Sequence, residues 1–125
     1  MRRPALTLAL CSLLLAGCGD DDGSSRTVTA PANAKLPVVA DEYSFDPSSI
    51  VLTGAGTLTL TLRNVGSLAH NLKLFRGDEE IGGTPTFPAG RSESVRLNLE
   101  HGSYRMVCTV GDHEQLGMKG TLEVR

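Results

Sequence analysis

The sequence predicts an all-β domain over residues 36–125, an antiparallel β-sandwich with Greek-key connections. Three observations support this fold class: apolar and polar residues alternate with a period of two, turn-forming residues interrupt the alternation at short intervals, and no convincing helical stripe is present. Each strand then has one apolar face, and two sheets packed face to face bury all of these faces. At 125 residues, the chain has the length of a single domain.

Four segments show the alternation most clearly. In residues 57–63 leucines alternate with threonines, and residues 94–99, 103–108 and 119–124 repeat the pattern with other apolar residues. Residues that favour turns lie between the strands, at positions 46–47, 54–56, 77–78, 82–83, 88–90 and 101–102. We expect His101, in the last of these turns, to be a solvated surface residue.

Residues 1–17 are predicted to be a cleaved lipoprotein signal peptide. Arg2 and Arg3 precede an uncharged, largely apolar run, residues 4–16, which is shorter than the ~20 residues that a membrane-spanning helix needs. The run leads into Leu-Ala-Gly-Cys, which resembles the lipobox of bacterial lipoproteins. This resemblance implies that Cys18 becomes the lipidated N-terminus of an exported protein, anchored to the cell membrane with its domain on the periplasmic or extracellular side. The alternative is an ordinary signal peptide in which the cysteine occurs by chance.

Residues 18–35 are predicted to form a lipidated, flexible linker. The segment is small, polar and without any period, and three aspartates lie near its start. About 17 residues of such a chain have a root-mean-square reach of about 23 Å. A domain on this linker can turn toward partners at the membrane surface.

Charge and cysteine content narrow the possible functions. With 12 Lys and Arg against 14 Asp and Glu, the net charge is −2, and the basic excess of a phosphate-binding surface is missing. We therefore expect no nucleic-acid partner. Of the three cysteines, Cys11 would leave with the signal peptide and Cys18 would carry lipid, so Cys108 is expected to be a free thiol.

Four residues with metal-binding side chains lie at the ends of predicted strands. His70, Cys108 and Met118 share the inward parity of their strands, and His113 lies in the loop between Cys108 and Met118. A thiolate, two imidazoles and a thioether form the ligand set of a blue-copper centre, with a trigonal His₂Cys group and a weak axial methionine. Zinc would favour a harder fourth ligand or a second thiolate, and an iron–sulfur cluster needs more cysteines. The sequence therefore predicts one copper ion.

The C-terminal segment, residues 104–124 (YRMVCTVGDHEQLGMKGTLEV), resembles the signature of the cupredoxins, the family of plastocyanin, azurin, auracyanin and rusticyanin. The Cys-x4-His-x4-Met spacing is closest to that of auracyanin and rusticyanin. Residues 43–47, 64–71 and 87–104 are similar to other parts of the family's domain, so the resemblance covers most of residues 36–125. It implies a type 1 copper site in a cupredoxin-like fold, and a one-electron carrier rather than an enzyme.

The resemblance also assigns roles to single residues. It implies that His70 and His113 bind copper through ring nitrogens, Cys108 through its thiolate and Met118 axially. Asn71 would brace the ligand loop and form a hydrogen bond near the Cys108 sulfur.

A partner-docking surface is implied around the exposed edge of His113, through which cupredoxins usually pass electrons. The apolar residues expected in this surface, and the two acidic residues that interrupt it, are Leu68, Ala69, Val110, Asp112, Glu114 and Leu116. The negative charges are expected to favour a cationic partner, such as a basic face of a c-type cytochrome or a terminal oxidase. We expect a monomer.

Two alternatives remain open at this point. The first is a copper-binding module that stores the ion or delivers it, for instance to an oxidase under assembly. Delivery sites, however, tend to be exposed and rich in Met or His. The second is a metal-free β-sandwich lipoprotein, in which His70, Cys108 and Met118 are ordinary core residues.

Overall fold

The computed structural model describes residues 25–125. Within this range the chain forms strands and no helix, so no helical segment there is long and apolar enough to cross a membrane. The predicted signal peptide, residues 1–17, and the predicted lipidation site Cys18 lie outside the described residues. The strands are β1 (Thr27–Ala30), β2 (Lys35–Asp41), β3 (Ser44–Asp46), β4 (Ser49–Leu52), β5 (Gly56–Asn64), β6 (Lys73–Arg76), β7 (Glu79–Gly83), β8 (Ser92–Leu99), β9 (Gly102–Val107) and β10 (Lys119–Val124).

The strands form two sheets around one core. The first is six-stranded with the order β1-β4-β10-β9-β6-β7, and the second is four-stranded with the order β3-β2-β5-β8. The pairs β1·β4, β4·β10 and β2·β5 are parallel, and the remaining pairs are antiparallel. The chain passes from the four-stranded sheet to the six-stranded sheet at β4 and returns to the four-stranded sheet at β5. There β5 lies beside β2 and pairs with it in parallel.

The predicted β-sandwich is confirmed, but its sheets are mixed rather than antiparallel throughout. Period-two alternation determines which side chains of a strand face the core, and it carries no information about the direction of the neighbouring strand. The parallel pairs arise from connections that cross between the sheets, and these depend on how the whole chain packs.

The folded domain begins earlier than the predicted boundary at residue 36. Strand β1 lies within the segment expected to be a flexible linker, and it pairs in parallel with β4. Ala30 is buried in the core, and Arg26 Nε donates to Asp46 Oδ1 at 2.6 Å. From Thr27 onward, the prediction of a flexible linker is therefore wrong. The composition of this segment resembles that of a linker, but backbone hydrogen bonds to β4 hold it as a strand. Residues 18–24 lie outside the described part of the chain.

Leucine side chains on alternate strand positions form much of the core. Leu58, Leu60 and Leu62 of β5 have no exposed surface, which agrees with the predicted alternation. Full burial of such a side chain contributes about 1.5–3 kcal/mol. Cys108 and Met118 belong to the same buried cluster. The end of the sandwich that carries these two residues is therefore continuous with the core.

Candidate metal centre

Three adjacent strands bring the four predicted ligands to one end of the sandwich. β9 lies between β6 and β10, and its last residue, Val107, pairs with the first residue of both neighbours. Cys108 directly follows β9, Met118 directly precedes β10, and His70 lies shortly before β6. The sheet register thus places ligands that are far apart in sequence at a common edge.

The side chains of His70, Cys108 and His113 form one buried cluster, whose ligand atoms all lie within 4.8 Å of one another. The two Nδ1 atoms of the histidines are 3.2 Å apart, and the Cys108 Sγ lies 4.0 Å from that of His70 and 3.5 Å from that of His113. Donors ~2.0–2.3 Å from one ion in trigonal or tetrahedral geometry lie about 3.3–4.0 Å from each other. The three donors therefore fit a single metal ion.

The cluster is sealed from solvent except at one histidine. His70 and Cys108 have no exposed surface, whereas His113 is 7% exposed. The ring of Tyr43 packs edge-on against that of His113, with the centroids 5.0 Å apart. His113 is therefore the predicted ligand through which the site meets the surface.

Backbone hydrogen bonds close the loop between Cys108 and Met118. The Cys108 N–H donates to the Met118 carbonyl at 3.1 Å, and the Met118 N–H donates to the His113 carbonyl at 2.9 Å. Within the loop, the His113 N–H donates to the Val110 carbonyl at 3.0 Å. The Met118 side chain is fully buried in the core cluster. This network fixes the backbone of the three C-terminal ligand positions relative to one another.

Asn71 connects the loop of the first histidine with the residue after Cys108. Its Nδ2 donates to the hydroxyls of Thr86 and Thr109, both at 2.9 Å, and its Oδ1 accepts the Thr109 N–H at 2.9 Å. Within the described residues, the Asn71 amide thus braces the loop through Thr109, and its hydrogen bonds do not include the Cys108 sulfur.

Glu42 contacts the site, although the sequence analysis did not single it out. Its Oε1 accepts the N–H groups of Ser67 at 2.8 Å and Leu68 at 2.7 Å, and it lies 3.2 Å from Nε2 of His70. The Leu68 N–H, together with that of Ser67, lowers the pKa of Glu42 to about 2, against the opposing effect of partial burial. An acidic residue just after a strand is common, so no signal in the sequence distinguishes Glu42.

Exposed apolar side chains lie in the loops that carry the two histidines. Leu68 is 44% exposed and Leu116 is 51% exposed, while Ala69 and Val110 are half-buried. Val65, at 41%, is a further exposed apolar residue near the first histidine, and the sequence analysis missed it. Its alternation with polar neighbours resembles that of an ordinary strand residue.

The two acidic residues beside His113 have different surroundings. Asp112 is exposed, whereas Glu114 is half-buried with its Oε1 3.2 Å from Nη1 of Arg105. Glu114 is thus paired with a cation, whereas Asp112 presents an exposed negative charge next to the histidine in the chain. His101 is exposed, as predicted.

A buried cysteine sulfur and two imidazole nitrogens, with a methionine in the same loop, define the class of protein. One thiolate with two histidines suits copper, and the mixed β-sandwich places this set at the end of its core, as in type 1 copper proteins. The chain belongs to the plastocyanin/azurin family of copper-binding proteins, whose family model matches residues 32–125. The predictions of a cupredoxin, of one type 1 copper ion and of a protein that is not an enzyme agree with this membership.

Solved structures share the fold. An auracyanin from Roseiflexus castenholzii, in its dithionite-reduced form, is 20% identical with a TM-score of 0.69, over 75% of this chain and 98% of that chain. Auracyanin A, a blue copper protein from Chloroflexus aurantiacus, is 19% identical with a TM-score of 0.66, over 77% of this chain and 100% of that chain. Rusticyanin from Thiobacillus ferrooxidans is 20% identical with a TM-score of 0.66, over 79% and 82% of the two chains. Among curated proteins, no significant match was found.

Proposed function

We propose that this protein is a membrane-anchored, extracytoplasmic blue-copper protein that carries single electrons between redox partners. The observation that carries the proposal is the buried cluster of His70, Cys108 and His113, in a chain of the copper-binding family. Copper bound there supplies a one-electron couple between Cu(I) and Cu(II). The residues around it supply a fixed, dry site.

Rigidity of the ligand set favours electron transfer over ligand exchange. Cys108 and Met118 adjoin paired strands, and the loop between them is closed by its own backbone hydrogen bonds. Asn71 ties this loop to the segment of His70. A site that keeps one geometry in both oxidation states needs little rearrangement when an electron moves.

His113 is the proposed point of electron entry and exit. It is the partly exposed histidine of the cluster, and Leu116 and Leu68 offer apolar surface in the adjoining loops. We expect a redox partner with a basic face, such as a c-type cytochrome or a terminal oxidase, to dock there, because Asp112 is exposed beside the histidine.

Anchoring rests on the lipobox-like sequence that ends at Cys18. We expect the wild-type protein to incorporate radiolabelled fatty acid. In Cys18→Ser, we expect this label to be lost and the domain to be released from membranes. A wild-type protein that takes up no label is evidence against the anchor and leaves the copper site as it is.

Copper delivery is the competing function, and burial of the ligands argues against it. Transfer of an ion to an apo partner requires access to the donors, whereas His70 and Cys108 have no exposed surface. The deciding experiment follows the visible and electron-spin-resonance spectra of the copper-loaded protein through repeated reduction and oxidation in the presence of an apo acceptor. A carrier keeps its copper and exchanges electrons with a cytochrome, and loss of copper to the acceptor would establish delivery instead.

A further inference from the structure

We propose that Glu42 is a positioning residue for the copper site. Its carboxylate holds the ring of His70 with Nδ1 turned toward the other ligands and shifts the bound copper toward Cu(II). The inference rests on the proposed carrier function, because a bias between two oxidation states matters to a protein that cycles between them.

The first support is the geometry of one oxygen atom. Oε1 of Glu42 accepts the N–H groups of Ser67 and Leu68 and faces Nε2 of His70 at 3.2 Å. The two backbone bonds fix the oxygen from one side, so the imidazole meets an acceptor that is held in place. Glu42 lies between β2 and β3, and the loop of His70 follows β5, so the contact joins two separate segments of the chain.

The second support is the tautomer that this contact selects. A carboxylate oxygen only accepts hydrogen bonds, so Nε2 of His70 must carry a proton to bond with it. In a neutral imidazole the lone pair is then on Nδ1, which is the nitrogen that lies 3.2 Å from Nδ1 of His113 and 4.0 Å from the Cys108 sulfur. The carboxylate therefore holds His70 in the form that binds a metal through Nδ1.

The third support is Gly66, which leaves room for the carboxylate. A Cβ atom at this position would lie 2.5 Å from Oε1 and 2.6 Å from Oε2 of Glu42. Such distances are far below van der Waals contact, so any larger residue at position 66 would displace the carboxylate. A glycine at position 66 is therefore explained by the close approach of the Glu42 carboxylate to the N–H groups of Ser67 and Leu68.

The electrostatic consequence follows from the charge of the group. A carboxylate bonded to the far nitrogen of a metal-bound imidazole makes the ring a more basic ligand. It also places a negative charge near the ion, in a partly dry environment where charges interact more strongly than in water. Both effects stabilise the more highly charged Cu(II) over Cu(I) and lower the reduction potential.

Glu42→Gln is the main test, because glutamine retains an oxygen that accepts from Ser67 and Leu68 but carries no charge. Loss of a partner that orients a metal ligand typically costs 10- to 100-fold in metal affinity. We expect the loss for Cu(II) to exceed that for Cu(I) by about tenfold, which raises the midpoint potential by about 59 mV for one electron. In the metal-free protein, nitrogen-15 spectra are expected to show His70 protonated at Nε2 in the wild type and in Glu42→Gln, because both keep an oxygen that faces Nε2, and a mixture of tautomers in Gly66→Ala, in which that oxygen is displaced.

Two further variants separate contact from general charge. Asp41→Asn removes the neighbouring negative charge while keeping the oxygen that accepts the Glu42 N–H, and it is expected to move the potential much less than Glu42→Gln. Gly66→Ala keeps the charge but pushes the carboxylate away, and it is expected to raise the potential in the same direction.

The outcomes distinguish this inference from the proposed function. A wild-type protein that takes up no copper overturns both. A blue wild-type protein whose potential is unchanged in Glu42→Gln overturns the role of Glu42 alone, even where the variant is less stable to urea. If Asp41→Asn shifts the midpoint potential as much as Glu42→Gln does, the role of Glu42 is also overturned. A nearby negative charge without contact to His70 would then be enough to set the potential.

Discussion

The side chain of Asn71 is bonded to Thr109 at two points, although 38 positions separate the residues in the chain. Oδ1 accepts the Thr109 N–H and Nδ2 donates to the Thr109 hydroxyl, both at 2.9 Å. Thr109 directly follows Cys108, and Asn71 directly follows His70. This pair of hydrogen bonds therefore holds together the two segments that carry the buried ligands.

Asn71→Ala is expected to lower the free energy of unfolding by about 1–3 kcal/mol, because it leaves a part-buried backbone N–H without its acceptor. It is also expected to speed the loss of copper to a chelator, since the two ligand segments are no longer tied. Urea unfolding of the metal-free protein and chelator kinetics of the loaded protein measure the two effects. Asn98→Ala, which removes an exposed hydrogen bond with Thr57 within the four-stranded sheet, is the matched control and should cost less than about 0.5 kcal/mol. Equal losses in the two variants would contradict the bracing role.

Cys108→Ser is expected to abolish the intense thiolate-to-copper absorption and leave the fold largely intact. The sulfur is the sole thiolate donor of the buried cluster, and serine is close to it in size. Visible spectra of copper-loaded protein, with far-ultraviolet circular dichroism to monitor the fold, test the prediction. Met118→Leu serves as the control, because it keeps the thiolate and should remain coloured. A coloured Cys108→Ser protein would refute the assignment of the site.

Electron transfer to a basic cytochrome is expected to slow as ionic strength rises, because exposed charges are screened over about 8–10 Å at 0.1–0.15 M salt. Asp112→Asn is expected to reduce both the rate at low salt and its salt dependence. Asp78→Asn, in the β6–β7 turn at the opposite end of β6 from the ligands, removes an equal charge and should leave the rate near that of the wild type. Stopped-flow mixing of reduced protein with oxidised cytochrome provides the rates. Rates that do not vary with salt would exclude electrostatic steering by Asp112.

Acid stability of the metal-free protein is expected to depend on Glu42. Its pKa falls from an ordinary value of 4.5 to about 2 in the folded state, so the carboxylate stabilises the fold above pH 4.5. This contribution is lost as the pH decreases from 4.5 through about 2, where the group becomes protonated in the folded protein as well. Urea midpoints of the wild type should therefore exceed those of Glu42→Gln at pH 6 and approach them near pH 2. A difference that stays constant over this range would show that the charge of Glu42 has no part in it.

The ligands could be proposed from the sequence because each combines a distinctive side chain with a readable position. Cys108 and Met118 follow the inward parity of β9 and β10, and His113 lies in the loop between them. Few residue types bind copper, so their spacing is informative by itself. Glu42 has no such signal, since carboxylates are common after strands and its role depends on the Ser67 and Leu68 N–H groups that the fold brings to it.

Strand β1 likewise could not be predicted from the sequence. Its residues, Thr27–Ala30, carry little apolar surface, and their composition predicts a linker. They are held as a strand by backbone pairing with β4, and backbone hydrogen bonds are available to almost any sequence.

The sequence by itself determined the fold class and the ligand chemistry, because alternation and side-chain type are local properties of the chain, whereas the sheet register gathered the ligands at one end of the sandwich. Only the tertiary structure decided which strands run parallel, that the domain begins at β1, that Asn71 holds Thr109, and that Glu42 faces His70. Each of these features depends on a contact between segments that are distant in the chain. Which segments meet is set by how the two sheets pack, and the residues next to each segment in the sequence do not reveal it.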